Sequence, residues 1–239
     1  MIFGFSTGCF YRWCEPISKE AVLIVRSLGV NAIELMAGYP KRVDSLHLIT
    51  KEDVADFAYV SLHAPSRMKY TSNEETKRVL SIIENWCKQV KPQTVVFHPD
   101  TIDDWDILSE YEIPYAFENM DATKTVGIIP SQMSEILAKD KTFHALLDIQ
   151  HVYTHDTEMK QTKEFVKCMG DKLGEIHLSA QEDESCAHGA LHLTSQDIIL
   201  HKTKEILSTK PHTPIIIESV LDSKEAMEKE LLYVKRFLD

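Results

Sequence analysis

The amino-acid sequence predicts an α/β protein folded as a single (β/α)8 TIM barrel spanning residues 1–239. Three observations carry this expectation. Short apolar runs of four to six residues recur eight times along the chain. Segments with helical spacing of apolar residues lie between them. The unit repeats about every 30 residues, the length of one strand and its crossover. Runs apolar on both faces suit the buried strands of a parallel sheet, and eight such units close most readily into a barrel. The competing open doubly wound sheet usually carries a glycine-rich phosphate turn after its first strand. Here that turn reads Ser6-Thr7-Gly8-Cys9-Phe10.

In chain order, the first run is Ile2–Thr7, followed by a helical stretch, Ser18–Leu28, with Ala21, Val22, Ile24, Val25 and Leu28 on one side. Ser18 stands before Glu20 as its N-cap. Asn31–Met36 and Ala58–His63 are the second and third runs. Asn73–Val90 then gathers Val79, Ile82, Ile83, Trp86 and Val90 on one helical face. Thr94–His98 and Pro114–Glu118 are the fourth and fifth runs, with a helix expected over Pro130–Ala138. Phe143–Asp148 precedes a helix over Thr157–Met169, and Glu175–Leu178 precedes one over Ser195–Leu207. Pro214–Glu218 is the last run, followed by a helix over Ser223–Leu238. Ser195 and Ser223 are read as caps. The count is eight strands alternating with about eight helices, with no linker or composition break to divide the chain.

Composition narrows the class. The 239 residues are 44% apolar and 26% charged, the balance of a globular protein able to bury a core without staples. No apolar run approaches the ~20 residues needed to span a bilayer. The start, Met-Ile-Phe-Gly-Phe-Ser-Thr, has no basic segment before its apolar part, so no secretory signal is read. Five cysteines without a CxxC pair suggest reduced thiols and a cytoplasmic location, with a Cys9–Cys14 bridge the lesser reading. The net charge of −11 argues against DNA as a broad partner, because phosphate backbones demand a basic footprint. The 11 histidines stand out.

Their positions explain the excess. The last six strand runs carry His63, His98, Glu118, Asp148, His177 and Glu218 at or beside their carboxyl ends, and the second ends near Glu34. His151 follows Asp148 by three residues. Active sites of such barrels form at the carboxyl ends of the strands. Imidazoles and carboxylates are the donors for Zn²⁺ or Mn²⁺, and carboxylates crowded at one mouth repel unless a cation lies between them. His188, in the loop after the seventh run, is the preferred further ligand over His192. His155 is a candidate substrate contact. His47, His144, His201 and His212 are read as surface residues. Basic and aromatic residues of the first three loops, among them Arg12, Tyr39 and Arg67, suit contacts with a small anionic or phosphorylated substrate.

In order along the chain stand Leu62-His63-Ala64-Pro65, Phe97-His98-Pro99, Phe117-Glu118-Asn119, Asp148-x-x-His151, Ile176-His177-Leu178 and Ile217-Glu218. Together they resemble the superfamily of endonuclease IV and the xylose isomerase-like TIM barrels. By that resemblance His63, His98 and Glu118 hold a first zinc ion, and Glu118 bridges to a second, completed by Asp148, His177 and Glu218. His151 and His188 hold a third. The superfamily has an aspartate two residues before that last histidine, where this chain has Cys186. The third site then takes Glu182, Asp183 or Glu184, or the Cys186 thiolate itself, or is weak or absent. The chain also has Ser66 where the DNA-repair members carry an aromatic. The resemblance therefore implies a phosphoester hydrolase with two or three Zn²⁺, in which Glu218 orients or deprotonates the attacking water. The alternative is a sugar or sugar-phosphate isomerase or epimerase holding one Mn²⁺ or Mg²⁺, with Glu118 and Glu218 as acid and base.

Overall fold

The computed structural model describes residues 1–182 and 186–238. The barrel strands begin with β1 (Phe3–Ser6), β2 (Ala32–Met36), β3 (Tyr59–His63) and β4 (Thr94–Phe97). They continue with β5 (Tyr115–Glu118), β6 (His144–Asp148) and β7 (Leu173–Leu178). A two-stranded antiparallel ribbon, β8 (Ala180–Gln181) with β9 (His188–Gly189), sits on the next loop, and β10 (Ile215–Ile217) is the last barrel strand. The eight long strands are parallel and close in the order β1-β10-β7-β6-β5-β4-β3-β2. The predicted (β/α)8 barrel is thus the fold.

The α-helices are α1 (Lys19–Ser27), α2 (Glu74–Val90), α3 (Pro130–Ala138), α4 (Ile149–His155), α5 (Thr162–Met169), α6 (Asp197–Thr209) and α7 (Lys224–Leu238). Two crossovers depart from the expected alternation. Between β2 and β3 the chain forms 3₁₀ turns over Pro40–Leu48 and Glu52–Val54. Val43, Leu46 and Ile49 recur every third residue and are all buried, which is the 3₁₀ period rather than the α period. Between β4 and β5 lie Pro99–Thr101 and Asp106–Glu110, where the Asp104 side chain accepts from the Asp106 amide and turns the backbone instead of extending a helix. The helix expected over 157–169 is α5 alone, and α4 forms directly off β6. Ser18 caps α1 as expected, accepting from the Ala21 amide at 3.0 Å. Ser195 does not cap α6. Gln196 takes the N-cap position, and its amide group instead brackets the Gln181 backbone with two bonds of 2.8 Å. Among the described residues no helix is long and apolar enough to cross a membrane.

Strand parity places the chemistry. Ile33, Leu35, Val60, Leu62, Val95, Phe97, Phe117, Leu147, Ile176, Leu178, Ile215 and Ile217 join the main core between barrel and helices. Their neighbours in sequence therefore face the barrel interior. Low in the barrel these are Ala32, Tyr59 and Ile216, with Val96, Ala116 and Leu146 beside them. Higher up they are Glu34, Ser61 and Glu175, all fully buried, so the strands are not apolar on both faces. At the carboxyl ends they are His63, His98, Glu118, Asp148, His177 and Glu218.

Candidate metal centre

Six candidate ligands come from six different barrel-strand ends, His151 follows on α4 and His188 on the β8–β9 ribbon, and closure of the barrel brings their tips together. His63, His98 and Glu118 form one cluster whose donor atoms all lie within 4.8 Å of one another. Glu118, Asp148, His177 and Glu218 form a second, and Asp148, His151 and His188 a third, by the same measure. Glu118 belongs to the first two and Asp148 to the last two. His98 Nε2 lies 3.1 Å from Glu118 Oε2, and His177 Nδ1 lies 3.0 Å from Glu218 Oε2.

Neighbouring groups aim the imidazoles. His63 Nδ1 donates to the Ala64 carbonyl at 2.9 Å, and His151 Nδ1 donates to the Asn119 carbonyl at 2.7 Å. A carbonyl can only accept, so each ring keeps its Nε2 lone pair for the site, as metal-ligating histidines do. His188 Nδ1 pairs with Ser179 Oγ at 2.7 Å, which holds the ring in place. Asp148 ends β6 and also caps α4, accepting from the His151 amide at 2.9 Å. One carboxylate thereby fixes the Asp148-x-x-His151 pair. Asn119 locks β5 to β6 at this level, with its Nδ2 donating to the Asp148 carbonyl and its Oδ1 accepting from the Asp148 amide.

These residues fit a cation. Both Glu118 oxygens, Asp148 Oδ2 and both His177 nitrogens are buried without a hydrogen-bond partner. Unsatisfied buried polar atoms are costly, and their concentration in one cluster of nitrogen and oxygen donors matches a divalent ion site. The charges respond to one another. Burial pushes the Glu118 carboxyl up, but His177, His63 and His98 outweigh it and hold it well below the usual range. Burial pushes His63 down, yet Glu118 and nearby carboxylates bring it to about 9. Glu218 is opposed by burial and carried to about 2 by His177.

All eight predicted metal ligands converge here. Cys186 is not part of the third cluster, in which Asp148 is the carboxylate; its carbonyl accepts from Gln150 Nε2 at 3.2 Å. Glu182 is exposed, and Asp183 and Glu184 lie outside the described residues. A cavity of about 350 Å³ opens above the centre, and Tyr39 and Arg67 line it as expected. Arg12 does not line it; that side chain is half exposed and pairs with Asp222 at 3.0 Å. His155 does not reach it either. It lies one helical turn beyond His151, about 6 Å farther along α4. His47, His144, His201 and His212 are exposed, and Cys9 and Cys14 are unbridged.

Two features escaped sequence reasoning, the partners behind His177 and a buried carboxylate on α7. Glu175 and Glu34 meet His177 from behind, with Glu34 Oε2 3.2 Å from His177 Nε2. Glu175 stands two residues before His177 on one strand, a spacing that places both on the same face. Tyr11 and Arg42, among the basic and aromatic residues expected at the mouth from the first two loops, do line the cavity. Glu230 of α7 is fully buried and accepts from the Leu191 and His192 amides and from Ser219 Oγ, tying the loop that carries His188 to the residue after Glu218. Glu230→Ala strands those donors and is expected to cost about 2–3 kcal/mol. Thermal denaturation should show a drop of about 5–10 °C.

No protein-family model and no curated protein matches the chain. Solved structures do. A xylose isomerase domain-containing protein from Salmonella typhimurium LT2 superposes with a TM-score of 0.73 at 15% identity, covering 99% of this chain and 97% of that one. L-ribulose 3-epimerase superposes at 0.71 with 12% identity over 99% and 94% of the two chains. AsfvAP:AG superposes at 0.68 with 15% identity over 100% and 99%. The structural neighbours are xylose isomerase-like TIM-barrel proteins, and at these identities the likeness shows the shared fold.

Proposed function

We propose that the protein is a divalent-metal-dependent phosphoester hydrolase acting on a small anionic substrate, with Zn²⁺ as its ion. One observation carries this reading. The central group of Glu118, Asp148, His177 and Glu218 is flanked on both sides by clusters that share a carboxylate with it. A single-ion enzyme has no use for the two flanking sets, whereas shared carboxylates suit adjacent ions. Such ions supply an activated water and stabilise the charge that builds on a phosphoester during displacement. The imidazole-rich donor set suits Zn²⁺.

The protein's own groups then have separate tasks. Glu218 borders the cavity and is oriented by His177, so it is placed to take a proton from the attacking water. Glu118 and Asp148 hold the spacing between adjacent sites. The Ala64 and Asn119 carbonyls keep His63 and His151 in the ligating tautomer. A cavity of about 350 Å³ on a chain of net charge −11 suits a small molecule better than duplex DNA.

A second reading, a sugar or sugar-phosphate epimerase with one Mn²⁺ or Mg²⁺, is favoured by the completeness of the central four-residue cluster taken alone. Glu118 and Glu218 would then move the proton. Elemental analysis of the purified protein, with assay of bis(p-nitrophenyl) phosphate, separates the two. We expect at least two zinc ions per chain and hydrolysis that Glu218→Gln abolishes. One exchangeable Mn²⁺ without hydrolysis would overturn the hydrolytic reading.

A further inference from the structure

Tyr39 carries two guanidinium groups. Arg42 lies 5.4 Å from its ring centroid and Arg67 lies 5.9 Å from it. All three residues line the cavity, with Tyr39 half exposed. The arginines come from different loops, after β2 and after β3. Those loops are stitched together, since the Ser66 and Arg67 amides both donate to the Gly38 carbonyl at 3.1 Å. Arg42 is anchored by Glu15, whose carboxylate takes its Nε at 2.9 Å and leaves the terminal nitrogens uncommitted to it. Arg67 meets no carboxylate within ion-pair distance among the described residues.

Two like charges sharing one aromatic ring repel, and the ring's attraction for each only partly offsets this. On a chain with an excess of carboxylates, basic groups usually find acidic partners. Here two line the same cavity as the candidate metal centre, and among the described residues one carboxylate, Glu15, pairs with them. Planar forked donors of this kind match a phosphate in geometry and in charge. We infer that Arg42 and Arg67, set by Tyr39, form an anion subsite that grips a phosphate monoester group of the substrate, apart from the group that reacts at the metal centre. The substrate class is then a small molecule bearing a terminal phosphate in addition to its reacting bond. This deepens the proposal above and rests on it only for what happens at the metal centre.

The test measures binding, so it does not depend on turnover. Ribose 5-phosphate and ribose are titrated calorimetrically into the metal-loaded protein and into the Arg42→Gln/Arg67→Gln double variant, with metal content checked in both. The expected result is at least tenfold tighter binding of ribose 5-phosphate to the parent, weakened by salt. In the double variant that preference should be lost while the metal content is retained. Equal binding of the two sugars, or no binding of either, overturns the subsite. A preference that survives in the double variant also overturns it, because the phosphate then sits on the ions. Failure of bis(p-nitrophenyl) phosphate hydrolysis with the preference intact removes the hydrolase reading and leaves the subsite standing.

Discussion

Glu118→Ala is expected to lower turnover by at least ~10³-fold, equivalent to ~4 kcal/mol in the transition state. It should also cost the protein two ions. Glu118 belongs to both the His63/His98 cluster and the central cluster, so its loss leaves each short of a ligand. His98→Ala provides the contrast, because His98 belongs to one cluster only. That variant should lose one ion and keep the central one. Glu118→Gln preserves the shape but removes the charge and places an amide N–H against imidazole lone pairs, so it should resemble Ala in metal content. Elemental analysis of the three variants beside the parent checks this. Equal metal loss in Glu118→Ala and His98→Ala would show that Glu118 does not bridge.

The second large effect couples metal, protons and stability. An ion held at ~1,000 times its dissociation constant stabilises the folded state by ~4 kcal/mol. For a chain of this size, chelation should therefore lower the melting temperature by about 10 °C. The gap should depend on pH. In the metal-free protein burial pushes His63 down, but Glu118, Glu34 and Glu218 raise it to about 9. Because that exceeds the ~6.5 of the unfolded chain, the stabilisation is fully present below pH ~6.5 and is lost as pH rises through about 9. His177 is shifted in the same direction: burial opposes, and Glu218 and Glu34 prevail. As ligands in a loaded protein the same imidazoles would carry no proton on the ligating nitrogen, so metal would displace protons and bind more weakly as pH falls. The two trends oppose one another. The melting-temperature gap between loaded and EDTA-treated protein should widen from pH ~6 to pH ~9. A gap constant across that range would show that these imidazoles do not ligate.

Much of the centre was legible because strand geometry is strictly local. Val60-Ser61-Leu62-His63 and Leu146-Leu147-Asp148 alternate inward and outward, so a polar residue ending such a run lands at the barrel mouth. Asp148-x-x-His151 was legible too, since a three-residue offset off a strand end is a cap and the first turn of a helix. The short connection from β2 to β3 was less so. Its Val43–Leu46–Ile49 spacing of three reads as a 3₁₀ segment only once the α period has been set aside. Arg12 and His155 lie off the cavity because a residue near a site in sequence can sit a helical turn away from it or pair with a surface acid such as Asp222.

The eight-fold alternation, the inward parity of His63, His98, Glu118, Asp148, His177 and Glu218, and hence a metal-type mouth on a TIM barrel, follow from the sequence alone. Backbone periodicity is a property of neighbouring residues. Tertiary structure decided which donors lie close enough to be shared, that Asp148 and not Cys186 stands with His188, that Glu34 reaches His177, and that Arg42 and Arg67 meet over Tyr39. Those relations join residues tens to hundreds of positions apart, and only closure of the barrel sets the distances between them.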